Sequence, residues 1–506
     1  MQIGMVLAMA AEGMGDRIAF GPKAGGISFM DFSAGAQRVG GYLAGLAGER
    51  VAMVDQNSAV MPLVLFGSAA AGRPFVPINY RLSDDRLAAT VARTAPATVV
   101  VGPGVAARLG AMEGITLVSR EAIFGAAARD DGPVADLWSG DPADIAILLF
   151  TSGTSGEAKE AVLRHRNVVS YIVSTVEFMG AKEDECALVS VPPYHIAGIS
   201  AVLSSAYAGR RLVYLEAFDA KAWVELARAE QVTHAMVVPT MLDRILDVID
   251  CAHGGDGCGL PGLRNLAYGG GPMPQPVIER ALRLLPHVGF VNSYGLTETS
   301  STIALLGPQE HREALAATDE KVRARLQSVG HPLPSVEVSI RDRDGNQLPN
   351  GEEGEIWVRG EQVAGEYVSG GDRLRGGWFP TRDGGYLDGD GYLFVNGRLD
   401  DVIVRGGENL SPGEIEQALT SHPAVLEAAV VGIPDVQWGE AVAAAVVLRP
   451  GATVGPADLQ AHVRRQLRST MTPAVIAIRD RLPYNDTGKL LRRLVRDQFL
   501  ASNDRE

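Results

Sequence analysis

The chain has little cysteine. Cys186, Cys251 and Cys258 are three thiols in 506 residues, an odd number that cannot make a disulfide framework, and a reducing cytoplasm is the simpler setting. Even with His253 close by, Cys251 and Cys258 fall short of a zinc ligand set. Long apolar runs are missing as well. The most apolar stretch, AVMPLVLFGSAAAG (59–72), is shorter than the roughly twenty residues a membrane span requires. The first segment, MQIGMVLAMAAEGMGDRIAF, has no early basic cluster and acquires Glu12 and Asp16, so it reads as a helix and turn, not a signal peptide. Positive charge is in deficit: 46 Lys and Arg against 60 Asp and Glu leave a net charge of −14. That excess argues against nucleic acid or a polybasic membrane contact. It leaves room for an anionic small molecule, because backbone N–H groups bind anions locally.

What is present is a chain long enough for more than one core. Up to about residue 300, short Val/Ile/Leu runs alternate with helical patterns. VAMVDQ at 51, TVVVG at 98, IAILLF at 145, HAMVVP at 234 and LRNLAYGG at 263 read as buried strands, with helices expected over 158–179 and 220–230. Such alternation predicts α/β units with largely parallel sheets. From about 328 the pattern becomes short alternating strands between Gly, Pro and Asp turns, VGHPLPSVEVSIRD, GEIWVRG and GYLFVNGR, which predicts an antiparallel, barrel-like region. A second change falls near 398–400. Beyond it a helix capped by Ser411 with Pro412 at its start, the strands LEAAVVGIP and AVAAAVVLRP, and a helix around PADLQAHVRRQLRS form a compact α+β unit.

Chemistry first shows in TSGTSGEAKE (151–160), glycines and hydroxyls following the apolar IAILLF. The G-x-x-x-x-G-K-[ST] phosphate loop does not fit, since Lys159 is followed by Glu160. A loop of another kind does, with N–H groups freed by glycine, several hydroxyl donors and one ammonium around a phosphate. It has companions in NSYGLTETSS (292–301), in PTRDGGYLDGDGYLFVNGRLDDVIVRGGENLSPGEIE (380–416) and in PYNDTGKLLRR (483–493).

These four segments, in this order and over essentially the full length, resemble the adenylate-forming superfamily of acyl-CoA synthetases, luciferases and peptide-synthetase adenylation domains. The resemblance implies a large N-terminal AMP-binding domain, 1–398, built from two α/β subdomains and a distorted β-barrel. A small mobile α+β domain, 399–506, follows a hinge at Asp400. It implies ATP, Mg²⁺ and CoA as cofactors and a small carboxylic acid as substrate, and leaves a homodimer open. Thr151, Ser152, Gly153, Thr154, Ser155, Gly156 and Lys159 would hold the β- and γ-phosphates. Gly269, Gly270 and Gly271 would let adenine and acyl group lie against the backbone, with Asn292 and Gly295 beside them. Tyr294 would stack on adenine, Thr297 would bond the α-phosphate and Glu298 would ligate Mg²⁺, a hard cation that takes oxygen. Asp383 would accept both ribose hydroxyls and Arg398 would support the ribose and phosphate end. Lys489 would stabilise charge on the α-phosphate oxygens as the carboxylate attacks. After rotation of the small domain, Gly406, Gly407 and Glu408 would serve CoA.

PPYHIAGISAVL (192–203) resembles the histidine segment of the acyl pocket, and His195, Ile196, Ile199, Gly271, Gly295 and Ser300 are its expected walls. No aspartate there suits an α-amino group, and no Lys or Arg suits a second carboxylate, which points to a monocarboxylic medium-chain or aromatic acid. Alternatives are a non-CoA acceptor, such as an amine, or a degenerate homologue that binds without catalysis. Departures from the family pattern motivate them. Glu157 and Glu160 replace proline and glycine around Lys159, Arg382 stands where glycine is expected, and Asp486 where proline is common. On charge alone, Glu160→Gly is expected to tighten ATP binding.

Overall fold

The computed structural model describes residues 1–151, 158–253, 260–405, 408–484 and 490–503, with backbone only for 251–253, 409 and 502–503. The runs read as buried strands build two sheets. One has eight strands in the order Ile115–Ser119, Ala97–Val101, Arg50–Val54, Phe75–Pro77, Ile145–Thr151, Lys159–Arg164, Glu366–Tyr367 and Gly371–Asp372. Its first five strands are parallel. Helices such as Phe29–Ala44 and Val60–Ala70 cover it, so a strand like Ala97–Val101 is buried along its whole length and carries no polar alternation. The second sheet has nine strands. Its parallel centre runs Gly289–Leu296, Asn265–Gly269, His234–Val237, Cys186–Val189, Arg211–Tyr214 and Ile18–Phe20. Asn57 Nδ2 ties the two units by donating to the carbonyls of Val191 (2.9 Å) and Leu215 (3.3 Å).

The helix expected over 158–179 is corrected: 159–164 is a strand antiparallel to Ile145–Thr151, and the helix runs His165–Thr175. Its apolar residues at 161–163 fit a buried strand as well as a helix, and cross-strand pairing decides. The barrel-like region takes the form of a four-stranded antiparallel sheet, Glu337–Arg341, Gly354–Arg359, Phe379–Leu387 and Leu393–Arg398. Beyond Leu399–Asp401, a five-stranded sheet with its own apolar core packs on Pro412–Thr420, Pro456–Gln466 and Arg492–Asn503. Ser411 does occupy the N-cap position, but its hydroxyl donates to the Asn396 carbonyl (2.8 Å) and makes no cap bond. Among the described residues no helix is long and apolar enough to cross a membrane.

Candidate functional site

Antiparallel register explains the centre of the site. Asp383 and Arg398 are direct cross-strand partners in the four-stranded sheet, and Arg398 Nε meets Asp383 Oδ1 at 3.0 Å. From the nine-stranded sheet, Tyr294 Oη donates to Asp383 Oδ2 at 2.6 Å. Thr381 sets the carboxylate: its hydroxyl accepts from Asp383 N–H (3.1 Å) and its carbonyl accepts from Arg398 Nη1 (2.9 Å). Burial works against the Arg398 charge, but Asp383, then Tyr294 and Glu298, raise its pKa above the ordinary value. Burial and the Asp383 charge push the Tyr294 phenol well up, so it remains a donor. A buried carboxylate flanked by a guanidinium and a phenol is suited to receive a diol.

Gly269 pairs with Ser293, so Gly270 and Gly271 leave the sheet beside Tyr294. Gly270 has a φ of +82°, and a Cβ added at Gly271 would meet nothing within 4 Å, which leaves that backbone open to a flat ligand. Gly295 is glycine for a different reason: a Cβ there would lie 1.9 Å from the Ser301 carbonyl at a strand irregularity. Asn292 does not join the cluster; its amide donates to the Ser328 carbonyl at 3.0 Å. The turn Thr297–Thr299 holds Thr297 half-buried and Glu298 buried. Ala364 N–H donates to the Glu298 carbonyl (2.8 Å), and the Tyr367 hydroxyl donates to Glu298 Oε1. Tyr367 was not evident from sequence. It lies outside every motif and reaches Glu298 only because Glu366–Tyr367 joins the edge of the eight-stranded sheet. Among the described residues no three His, Cys, Asp or Glu side chains gather into a metal cage. Glu298 is a lone carboxylate of the hard oxygen type that Mg²⁺ takes.

Thr151 and Lys159 are cross-strand partners at the base of the expected phosphate loop. Ser152, Gly153, Thr154, Ser155 and Gly156 lie outside the described residues, as do Glu157, Gly406, Gly407 and Lys489. The expectation for Glu160 is corrected. Its side chain is 6% exposed, pairs with Arg93 (2.9 Å) and Arg50 (3.3 Å), and Arg93 also donates to the Ala158 carbonyl (2.8 Å). Glu160 is therefore held by two arginines, next to the Thr151–Lys159 strand pair. Removing one partner of a fully buried pair costs about 3–5 kcal/mol. Because Arg50 and Arg93 reach water, Glu160→Gly is expected to destabilise by about 2 kcal/mol, seen as a melting temperature lowered by about 2 °C, with the KM for ATP unchanged. A tighter KM at unchanged stability would contradict this.

Arg382, the other departure, has a φ of +62° and places Nη2 2.6 Å from Asp400 Oδ1. It bridges the four-stranded sheet to the expected hinge and does not offset charge at the loop. Arg382→Gly removes a left-handed side chain and an exposed ion pair, opposing contributions of about 1 kcal/mol each. Stability should stay near wild type while amide exchange over 399–405 quickens about 2–5-fold. Unchanged exchange would mean that the pair restrains nothing. Asp401 lies 3.9 Å from Arg492, and Glu408 is exposed 3.9 Å from Arg468.

His195 starts the helix Ile196–Ala208, and Ile196 and Ile199 pack into the N-terminal core. Burial lowers the His195 pKa to about 4, so the ring is neutral at physiological pH. Its Nε2 has no hydrogen-bond partner among the described residues, and the same holds for the Ser300 hydroxyl.

Comparison with known proteins covers most of the chain. Residues 7–368 match the AMP-binding enzyme family and residues 414–489 the AMP-binding enzyme C-terminal domain. A fatty acid–[acyl-carrier-protein] ligase of Streptomyces coeruleorubidus is 34% identical over 480 residues, 92% of this chain and 89% of the relative. A feruloyl-CoA synthase of Amycolatopsis sp. is 33% identical over 458 residues, 89% of each. The o-succinylbenzoate CoA synthetase of Bacillus subtilis, solved with its acyl-adenylate intermediate, superposes with a TM-score of 0.83 at 29% identity, covering 97% of this chain and 98% of that one.

Proposed function

The chain belongs to the AMP-binding enzyme family, and on that premise we propose that it is an AMP-forming acid–CoA ligase. A carboxylate oxygen attacks the α-phosphorus of ATP, the bond to the β-phosphate oxygen breaks, and acyl-adenylate and pyrophosphate form. The CoA thiol then attacks the acyl carbon and AMP leaves. The observation that carries this reading is the Tyr294–Asp383–Arg398 cluster beside the open Gly270–Gly271 backbone. Asp383 holds the ribose, Arg398 pairs with its carboxylate and faces the phosphate end, and Thr297 donates to the α-phosphate. Glu298 would hold Mg²⁺, which would supply positive charge to the phosphates. Tyr367 orients the Glu298 carboxylate. Lys489 stabilises the transition state of the first half-reaction, and Gly406, Gly407 and Glu408 serve the second after the small domain turns about Asp400, with the domain boundary at 398/399.

The walls His195, Ile196, Ile199 and Ser300 carry no charge at neutral pH, which supports a monocarboxylic acid, medium-chain or aromatic. RGGENLSPGEIE, of the CoA-ligase type, supports CoA as the acceptor. The carrier-protein ligase among the relatives favours a second reading, in which the acceptor is a thiol on a carrier protein. Scarce cysteine supports a reducing cytoplasm as the setting. Pyrophosphate release across a panel of fatty and aromatic acids, with and without CoA, tests the proposal. Acid-dependent release with thioester formed on CoA is expected. Release without thioester would replace CoA as acceptor, and no signal with any acid would end the enzyme reading.

A further inference from the structure

The acid side of the site holds polar atoms that the fold leaves unserved. Ser200 lies on the helix Ile196–Ala208 and is 7% exposed. Its hydroxyl has no partner among the described residues, not even the Ile196 carbonyl four positions back. A buried helix serine ordinarily takes that bond, as Ser68 does here to the Val64 carbonyl at 2.6 Å. Ser300 is fully buried and left-handed, with a φ of +56°. Its neighbour Thr299 is satisfied through Leu296 and Ser301, and Gln362 Nε2 pins the turn by donating to the carbonyls of Thr299 (3.1 Å) and Thr302 (2.8 Å), yet the Ser300 hydroxyl has no partner among the described residues. The helix carrying Ser200 packs against the strand Ser301–Leu306, which begins directly after Ser300. His195 Nε2, also unserved, lies at the start of the same helix.

Buried polar groups are almost always paired, and backbone strain held in place by its surroundings concentrates at ligand sites. Unpaired groups on one helix and on the strained turn that leads into the strand it packs against are poorly explained by packing alone. We infer that the substrate acid carries a neutral hydrogen-bonding substituent, a hydroxyl or carbonyl, received by Ser200, Ser300 and His195. This rests on the acid-activation reading above and narrows its substrate class. The substituent is neutral because none of the three groups brings a charge to pair with it, and a hydroxyl suits them best because serine both donates and accepts. An unsubstituted alkyl or phenyl acid leaves all three unpaired, the situation in which such sites reject an analogue.

The test is pyrophosphate release by the full-length protein with matched acids: cinnamic against 4-hydroxycinnamic, and octanoic against 8-hydroxyoctanoic. In at least one pair the hydroxylated acid should show a kcat/KM about 10–100-fold higher. Ser200→Ala and Ser300→Ala should each cut that preference about 3–10-fold. Alanine keeps the Cβ, so Ser300→Ala leaves the backbone cost unchanged, and melting curves report the fold. Equal or reversed preference in both pairs, or a preference that survives both substitutions, overturns the inference while leaving acid activation intact. No pyrophosphate with any acid overturns the activation reading itself, a separate outcome. If Ser300→Ala does not fold, the wild-type ratios and Ser200→Ala still decide.

Discussion

Lys489→Ala is expected to slow adenylate formation by about 10²–10³-fold, the usual effect of losing one positioned donor at a developing anion. Thioester formation from supplied acyl-adenylate and CoA should stay within about threefold of wild type. The contrast follows from how the two half-reactions divide the small domain. The first needs an ammonium at the α-phosphate, because the attacking carboxylate and the phosphate both bear negative charge. On the proposed mechanism the second places its developing charge on the acyl oxygen and the departing AMP, away from any attack on phosphorus, and would use the other loop of the same domain. Single-turnover assays of each half-reaction provide the check. Equal losses in both would mean that the lysine supports the fold or both steps, and the two-conformation account would fail.

Asp383→Ala is expected to lower kcat/KM for ATP by about 10²-fold or more. Two hydrogen bonds to a charged acceptor contribute about 1.5–3 kcal/mol each, and every 1.4 kcal/mol is about a factor of ten. The substitution also leaves the half-buried Arg398 guanidinium and the Tyr294 hydroxyl without their shared partner. Asp383→Asn, which keeps the shape but not the charge, should fall between wild type and alanine. Calorimetric titration with AMP separates binding from chemistry: affinity should drop in parallel with kcat/KM. Unchanged AMP affinity would remove Asp383 from the ribose site.

Which parts of this site could be read from sequence follows from geometry. Asp383 and Arg398 sit in one continuous motif, and the hairpin that joins their strands makes them neighbours, so a linear pattern carries the contact. Thr151 and Lys159 are linked in the same way across a short connection. Glu160 misled because sequence places it next to Lys159, whereas successive strand residues point to opposite faces. The acid turns to Arg50 and Arg93, which no local pattern could signal. Arg382 behaves likewise, adjacent to Asp383 in the chain but directed to Asp400. Tyr367 escaped notice because its contact with Glu298 spans two sheets that come together only in the tertiary fold. Ser200 looked like an ordinary helix residue until its missing back-bond was visible. The alternation of strands and helices was legible, and it failed at 158–164, where a short apolar run fits either period.

In the proposed reaction the acid passes through a bond between its own carboxylate oxygen and the α-phosphorus of ATP. Turnover with an acid whose carboxylate oxygens are isotopically labelled, in the presence of ATP, Mg²⁺ and CoA, tests it directly by mass analysis of the products. One labelled oxygen should appear in AMP and none in pyrophosphate, because thiolysis of the acyl-adenylate leaves the bridging oxygen on phosphorus. Label recovered in inorganic phosphate, or thioester formed with unlabelled AMP, would contradict the account.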